Sequence, residues 1–173
     1  MNRRDTIKQL MLATGSLVAL PAWANEWNPA GLLNHRSSFS FQAQETLAAV
    51  ADTIIPSGNS IGALSVGVDK YLQKLIDDCY EKEIQDNVKA QLAALETSAQ
   101  SSHGKTFRDC DQRQREEKLL KFSTSENTAE QDFFKLIKSE TIRGFNTSRE
   151  VMVNHLHFKQ VPGHYYGCVD VNT

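Results

Sequence analysis

The chain has 173 residues, with 19 Lys and Arg against 21 Asp and Glu and a net charge of −2. That length suits one domain with a modest core, and so even a charge balance argues against a surface that holds nucleic acid or an anionic membrane by charge. Three cysteines cannot all pair within one chain, so at least one thiol is free or bonded elsewhere.

The first element is an export signal. Arg3 and Arg4 stand together before a short apolar run, Leu10 to Leu20, and Ala22-Trp23-Ala24 supplies the small residues of a cleavage site after Ala24. The run is shorter than the roughly 20 residues a bilayer core requires, and Thr14, Gly15 and Ser16 dilute it. Paired arginines followed by Ile7 and Lys8 favour the twin-arginine route, which carries folded cargo, over an ordinary Sec signal. Cleavage removes three basic side chains and one acidic one, which moves the net charge from −2 to −4.

Residues 25–39 are polar, with scattered Trp27, Leu32 and Leu33, and predict an arm without regular structure. Residues 40–160 predict a helical domain. Ser40 is placed to cap a helix whose apolar residues, Phe41, Leu47, Val50, Ala51, Ile54 and Ile55, recur at helical spacing until Pro56. The Gly- and Ser-rich stretch from Ser57 to Gly67 predicts a loop. Val68, Tyr71, Leu72, Leu75, Ile76 and Cys79 then mark a second amphipathic helix, with Cys79 expected among the core as an inert thiol. Ile84, Val88, Leu92 and Leu95 mark a third, which the polar stretch TSAQSSHGK, Thr97 to Lys105, is expected to end.

Asp111 and Gln114 have the spacing of a capping box, ahead of a helix with Leu119, Leu120 and Phe122 facing inward. A last long helix is expected from about Ala129 to Phe145, with Phe133, Phe134, Leu136, Ile137, Ile142 and Phe145 in the core and Gly144 and Asn146 as its C-terminal cap. A short helix is expected over Arg149 to Leu156, and residues 161–173 form an irregular tail. No run alternates as a strand would. The predicted fold is all-α, a single bundle of about five helices with irregular arms at both ends.

No catalytic constellation stands out. The glycine-rich loop lacks the Lys-Ser/Thr of a phosphate loop and does not follow a strand. CxxC, CxxCH and HExxH are absent from the sequence, and the GxSxG spacing of Gly58-Asn59-Ser60-Ile61-Gly62 lies in that same loop, which follows a helix and not the strand of a nucleophile elbow. Asp77-Asp78 and Glu116-Glu117 are adjacent carboxylates on solvated helix faces, not pairs aimed at one atom. His155, His157, His164 and Cys168 are good ligand types within a short segment, but His155 and His157 are two apart and cannot chelate from one helix face. A stand-alone periplasmic metal-binding protein using these four residues is the alternative function.

Several blocks in order resemble the gluconate 2-dehydrogenase subunit 3 family, the small (gamma) subunits of FAD-dependent sugar and polyol dehydrogenases. They are the Arg3-Arg4 signal, Ala51 to Pro56 closing a helix, the glycine-rich loop into Gly67-Val68, Gly144-Phe145 with Thr147-Ser148, and Pro162-Gly163-x-Tyr165-Tyr166-Gly167-Cys168. Asn146 and Arg149 depart from the family pattern. The resemblance implies a non-catalytic subunit that binds no cofactor itself. Its expected partners are a large flavoprotein of the glucose-methanol-choline class, which carries FAD and oxidises a sugar or sugar acid, a c-type cytochrome subunit and the twin-arginine translocase. The large subunit would cross to the periplasm folded, on this chain's signal. Phe145, Thr147, Ser148, Pro162, Gly163, Tyr165, Tyr166 and Cys168 are the expected partner interface, with Cys168 the thiol placed to pair across it.

Overall fold

The computed structural model describes residues 36–58, 60–159 and 163. The signal residues Arg3, Arg4, Ala22 and Ala24 therefore lie outside the described residues, as do nearly all of the arm and tail. The chain divides after Arg36 into two compact units, and every described helix belongs to the second. These helices are α1 (Phe41–Ile54), α2 (Val68–Cys79), α3 (Lys82–His103), α4 (Gln112–Ser123) and α5 (Thr128–Thr147), with a 3-10 turn at Leu64–Val66 and a π-helical turn at Val151–His155. The fold is all-α, and the described residues contain no strand.

Three of the five helices, α1, α4 and α5, begin at a side-chain cap. Ser40 Oγ accepts the Ala43 N–H at 3.2 Å, and Asn127 Oδ1 accepts that of Ala129 at 3.0 Å. The Asp111 N–H donates to Gln114 Oε1 at 3.1 Å, one half of the expected capping box. Helix α3 ends at Gly104, whose left-handed φ of 64° lets its N–H reach Gln100 O at 2.9 Å. The polar stretch TSAQSSH does not end α3, as expected, but forms its last two turns. Ser, Thr and Gln weaken a helix without breaking it, and buried Ala99 anchors this extension.

The core is one cluster drawn from all five helices, including Leu47, Val50, Leu72, Ile76, Val88, Leu92, Leu95, Leu119, Phe133 and Ile137. Phe122 and Phe133 meet edge to face, with ring centroids 6.0 Å apart. Helices α1 and α5 each pack against the other four and together form the centre of the bundle.

Several apolar residues expected inside are outside. Phe41, at 76% exposure, opens α1 on its solvent side, and Phe39, just before the cap, takes the core position instead. Leu120 is 60% exposed: neighbouring residues on a helix diverge by about 100°, and Leu119 already occupies the inward direction. Ile142 is exposed for the same reason beside buried Thr141, and Ile84 borders solvent at the first turn of α3. Cys79 is exposed, not core. It is the last residue of α2, and Tyr80, one step beyond, packs on the core where the stripe would have continued. Cys110 is the buried thiol. Phe107, in the turn between α3 and α4, is fully buried although no periodic stripe contains it.

Candidate partner-binding site

The interior polar groups tie helices together. Glu140, on the inner side of α5, accepts hydrogen bonds from the hydroxyls of Tyr71 and Tyr80, each at 3.3 Å, and lies 3.7 Å from Arg143. Burial, and next the charge of Glu140, raise both phenols above their usual 10.0. Gly144 is not a helix cap. It lies buried within α5, where a Cβ would stand 2.5 Å from Cδ1 of Tyr71, so the glycine admits the ring against the helix backbone. The cap is Ser148.

Other ties follow the same logic. Lys118 is buried on α4, and its ammonium donates to Ser98 O at 3.2 Å and to the hydroxyls of Ser98 and Ser102, which holds the polar end of α3. Arg115 pairs with Asp52 at 3.1 Å and also donates to Ala49 O. Glu96 accepts the Phe107 N–H at 3.1 Å and the Thr46 hydroxyl at 3.3 Å, seating the turn that carries Phe107. Asp77 accepts from the backbone and hydroxyl of Ser38, so one member of the expected solvated pair anchors the entry to α1. Sequence reasoning missed Glu140 and Lys118 because a charged residue on an inward stripe resembles an interruption until its partners are known.

Of the expected interface residues, Phe145 packs partly on the core, the Thr147 hydroxyl donates to Arg143 O at 2.8 Å, and Ser148 ends α5. Gly163 is exposed with a left-handed φ of 78°. Pro162, Tyr165, Tyr166 and Cys168 lie outside the described residues. The short helix expected over Arg149 to Leu156 takes a π-helical form at Val151–His155, anchored by buried Val151. Its wider turn is closed by Leu156 N–H donating to Val151 O at 2.9 Å, and the chain then reverses, with Phe158 N–H donating to Met152 O at 2.8 Å. His157, between them, has a φ of 49°. Val153, Leu156 and Phe158 are all about half exposed or more.

His155 and His157 are both exposed, and among the described residues no three His, Cys, Asp or Glu side chains gather as a metal site. His164 and Cys168 lie outside that set. The described residues form at least two open grooves. One, of about 550 Å³, runs between α3 and α5 over Ile84, Phe133 and Leu136 with Glu83 and Asp132 at its edge. The other, of about 440 Å³, lies beside the Glu45–Arg108 and Asp52–Arg115 pairs. No described helix is long and apolar enough to cross a membrane.

Residues 42–163 match the family model described as gluconate 2-dehydrogenase subunit 3. The chain belongs to that family. It is thus a member of a family of small dehydrogenase subunits, and a subunit implies partner chains. The match covers α1 to α5 and the π-helical turn and stops before Tyr165, Tyr166 and Cys168. No curated protein and no solved structure matches the chain.

Proposed function

We propose that this gluconate 2-dehydrogenase subunit 3 protein is the non-catalytic small subunit of a periplasmic FAD-dependent dehydrogenase of the glucose-methanol-choline class, acting on a sugar or sugar acid. It stabilises the flavoprotein subunit and carries it through the twin-arginine translocase. The observation that carries the proposal is the family match over residues 42–163. Two features of the chain support it. The paired arginines of the first residues belong to a route for folded cargo, and the interior polar groups described above are engaged in joining helices. FAD is held by the partner, where the sugar is oxidised, and a c-type cytochrome subunit takes the electrons.

In this arrangement residues 1–24 are the signal, 25–39 an arm, 40–160 the helical domain and 161–173 a docking tail. Phe145, Thr147, Ser148, Pro162, Gly163, Tyr165, Tyr166 and Cys168 contribute to the interface. A tightly held flavin is inserted where it is made, so the holo-complex crosses as one folded unit on a single address.

The test is cell fractionation after Arg3→Lys and Arg4→Lys are made together. Both this chain and the flavoprotein are expected to stay in the cytoplasm, with periplasmic dehydrogenase activity lost. A flavoprotein that still reaches the periplasm would refute shared export.

A further inference from the structure

We infer that the C-terminal end of α5 and the π-helical turn after it form the surface on which the flavoprotein subunit docks. Ile142, Val153, Leu156 and Phe158 are its apolar contacts, and Arg143, Arg149 and Lys159 select a partner patch edged by carboxylates. The inference rests on the subunit function proposed above and names where the partner binds.

The first ground is the distribution of exposed apolar side chains. Phe41, Leu64, Ile84 and Leu120 are scattered singly over separate elements, whereas Ile142, Val153, Leu156 and Phe158 all fall within residues 142–158. Single exposed apolar residues are ordinary, whereas four within one short segment are what a docking surface would present.

The second ground is the backbone. Leu156 and Phe158 flank His157, whose left-handed φ of 49° is uncommon for a residue with a side chain. The π-helical turn and the Phe158-to-Met152 hydrogen bond fix this reversal, and buried Val151 ties it to the bundle. A fixed, costly shape is useful to a partner with a complementary shape of its own. A bilayer surface asks only for a continuous amphipathic helix, and the left-handed residue interrupts one here.

The third ground is charge. Residues 142–159 contain Arg143, Arg149 and Lys159 against Glu150 alone, in a chain whose net charge is −2. Arg143 keeps one contact with Glu140 yet is 67% exposed. A basic rim on an otherwise acidic chain steers an acidic partner to this end. The fourth is that the family match includes this end and stops short of the aromatic tail.

The experiment co-expresses the full chain with its flavoprotein subunit, recovers the complex through a tag on this chain, and measures the flavin recovered. Leu156→Asp with Phe158→Asp should lower flavin recovery at least about tenfold, the effect of removing central apolar contacts. Arg149→Glu should lower it less, and more at low salt than at high. Leu120→Asp, which changes an exposed leucine on α4, should retain the flavoprotein. Circular dichroism checks the folding of each variant, and Arg149→Glu alone carries the test if the double variant loses its helical signal. Undiminished recovery in the double variant, or an equal loss in Leu120→Asp, overturns the inference. So does a double variant that keeps the flavoprotein but no longer binds phosphatidylserine vesicles bound by the wild type, because the surface then faces a membrane. If the wild-type chain recovers no flavoprotein at all, the subunit function fails first and this inference with it.

Discussion

Gly144 illustrates what one missing carbon does. The Tyr71 ring lies against α5 where a Cβ would be, with its Cδ1 and Cε1 at 2.5 and 2.8 Å from that position. Gly144→Ala must therefore displace an aromatic ring that also bonds Glu140. It should destabilise the domain by about 1–3 kcal/mol despite the better helix propensity of alanine. Urea unfolding measures this, and the cost should shrink in a Tyr71→Ala background, as expected for two groups in contact. Equal costs in both backgrounds would place the strain elsewhere. A glycine near a helix end suits a cap as well as a close approach, and only Tyr71, distant in sequence, decides between them. The cysteines follow the same rule. Cys79 fits its apolar stripe by spacing but sits at the helix end, exposed, whereas Cys110 is 5% exposed and burial raises its thiol above the ordinary range. In a Cys168→Ser background, iodoacetamide should label Cys79 in the native protein and Cys110 only after denaturation. Prompt labelling of Cys110 would contradict its burial.

The junction of α2 and α5 has its own pH dependence. The phenols of Tyr71 and Tyr80 ionise at higher pH in the folded chain than their usual 10.0, because burial and Glu140 disfavour a second negative charge there. The unfolded chain therefore loses these protons first. Their contribution is intact below about pH 10 and falls as pH rises through the folded-state values. Thermal midpoints should drop along this alkaline limb, and Tyr71→Phe with Tyr80→Phe should flatten it; an unchanged slope would remove the phenols as its cause. The helices themselves were legible from apolar spacing, with Ser40 and Asp111 marking two starts. The length of α3 was not. Its last two turns carry one inward apolar residue, Ala99, and depend on a lysine from α4 whose role appears only when Ser98 and Ser102 are brought beside it.

For the whole molecule, the all-α fold and the family could be reached from the sequence, but the arrangement of the bundle could not. Five apolar stripes require a common core without saying which helices lie at its centre. The C-terminal surface was only partly foreseen. Phe145, Thr147 and Ser148 border it, yet the side chains it exposes are Ile142, Val153, Leu156 and Phe158, and their presentation depends on a π-helical turn and a left-handed His157. Neither conformation has a sequence signature in this segment, where the spacing suggests an ordinary short helix.

The central place of α5 also bears on the order of events during synthesis. It is the fifth of five helices, and α1, α2, α3 and α4 each pack against it. Before Phe133 and Ile137 are made, α1 can already pair with α2, α3 and α4, but the apolar cluster lacks the side chains of α5 and cannot close. Domains fold as units, and this one gains its last core helix only after the other four have been made. A nascent chain therefore keeps part of its apolar surface open until α5 has emerged, and any machinery that accepts only finished folds must wait for that helix.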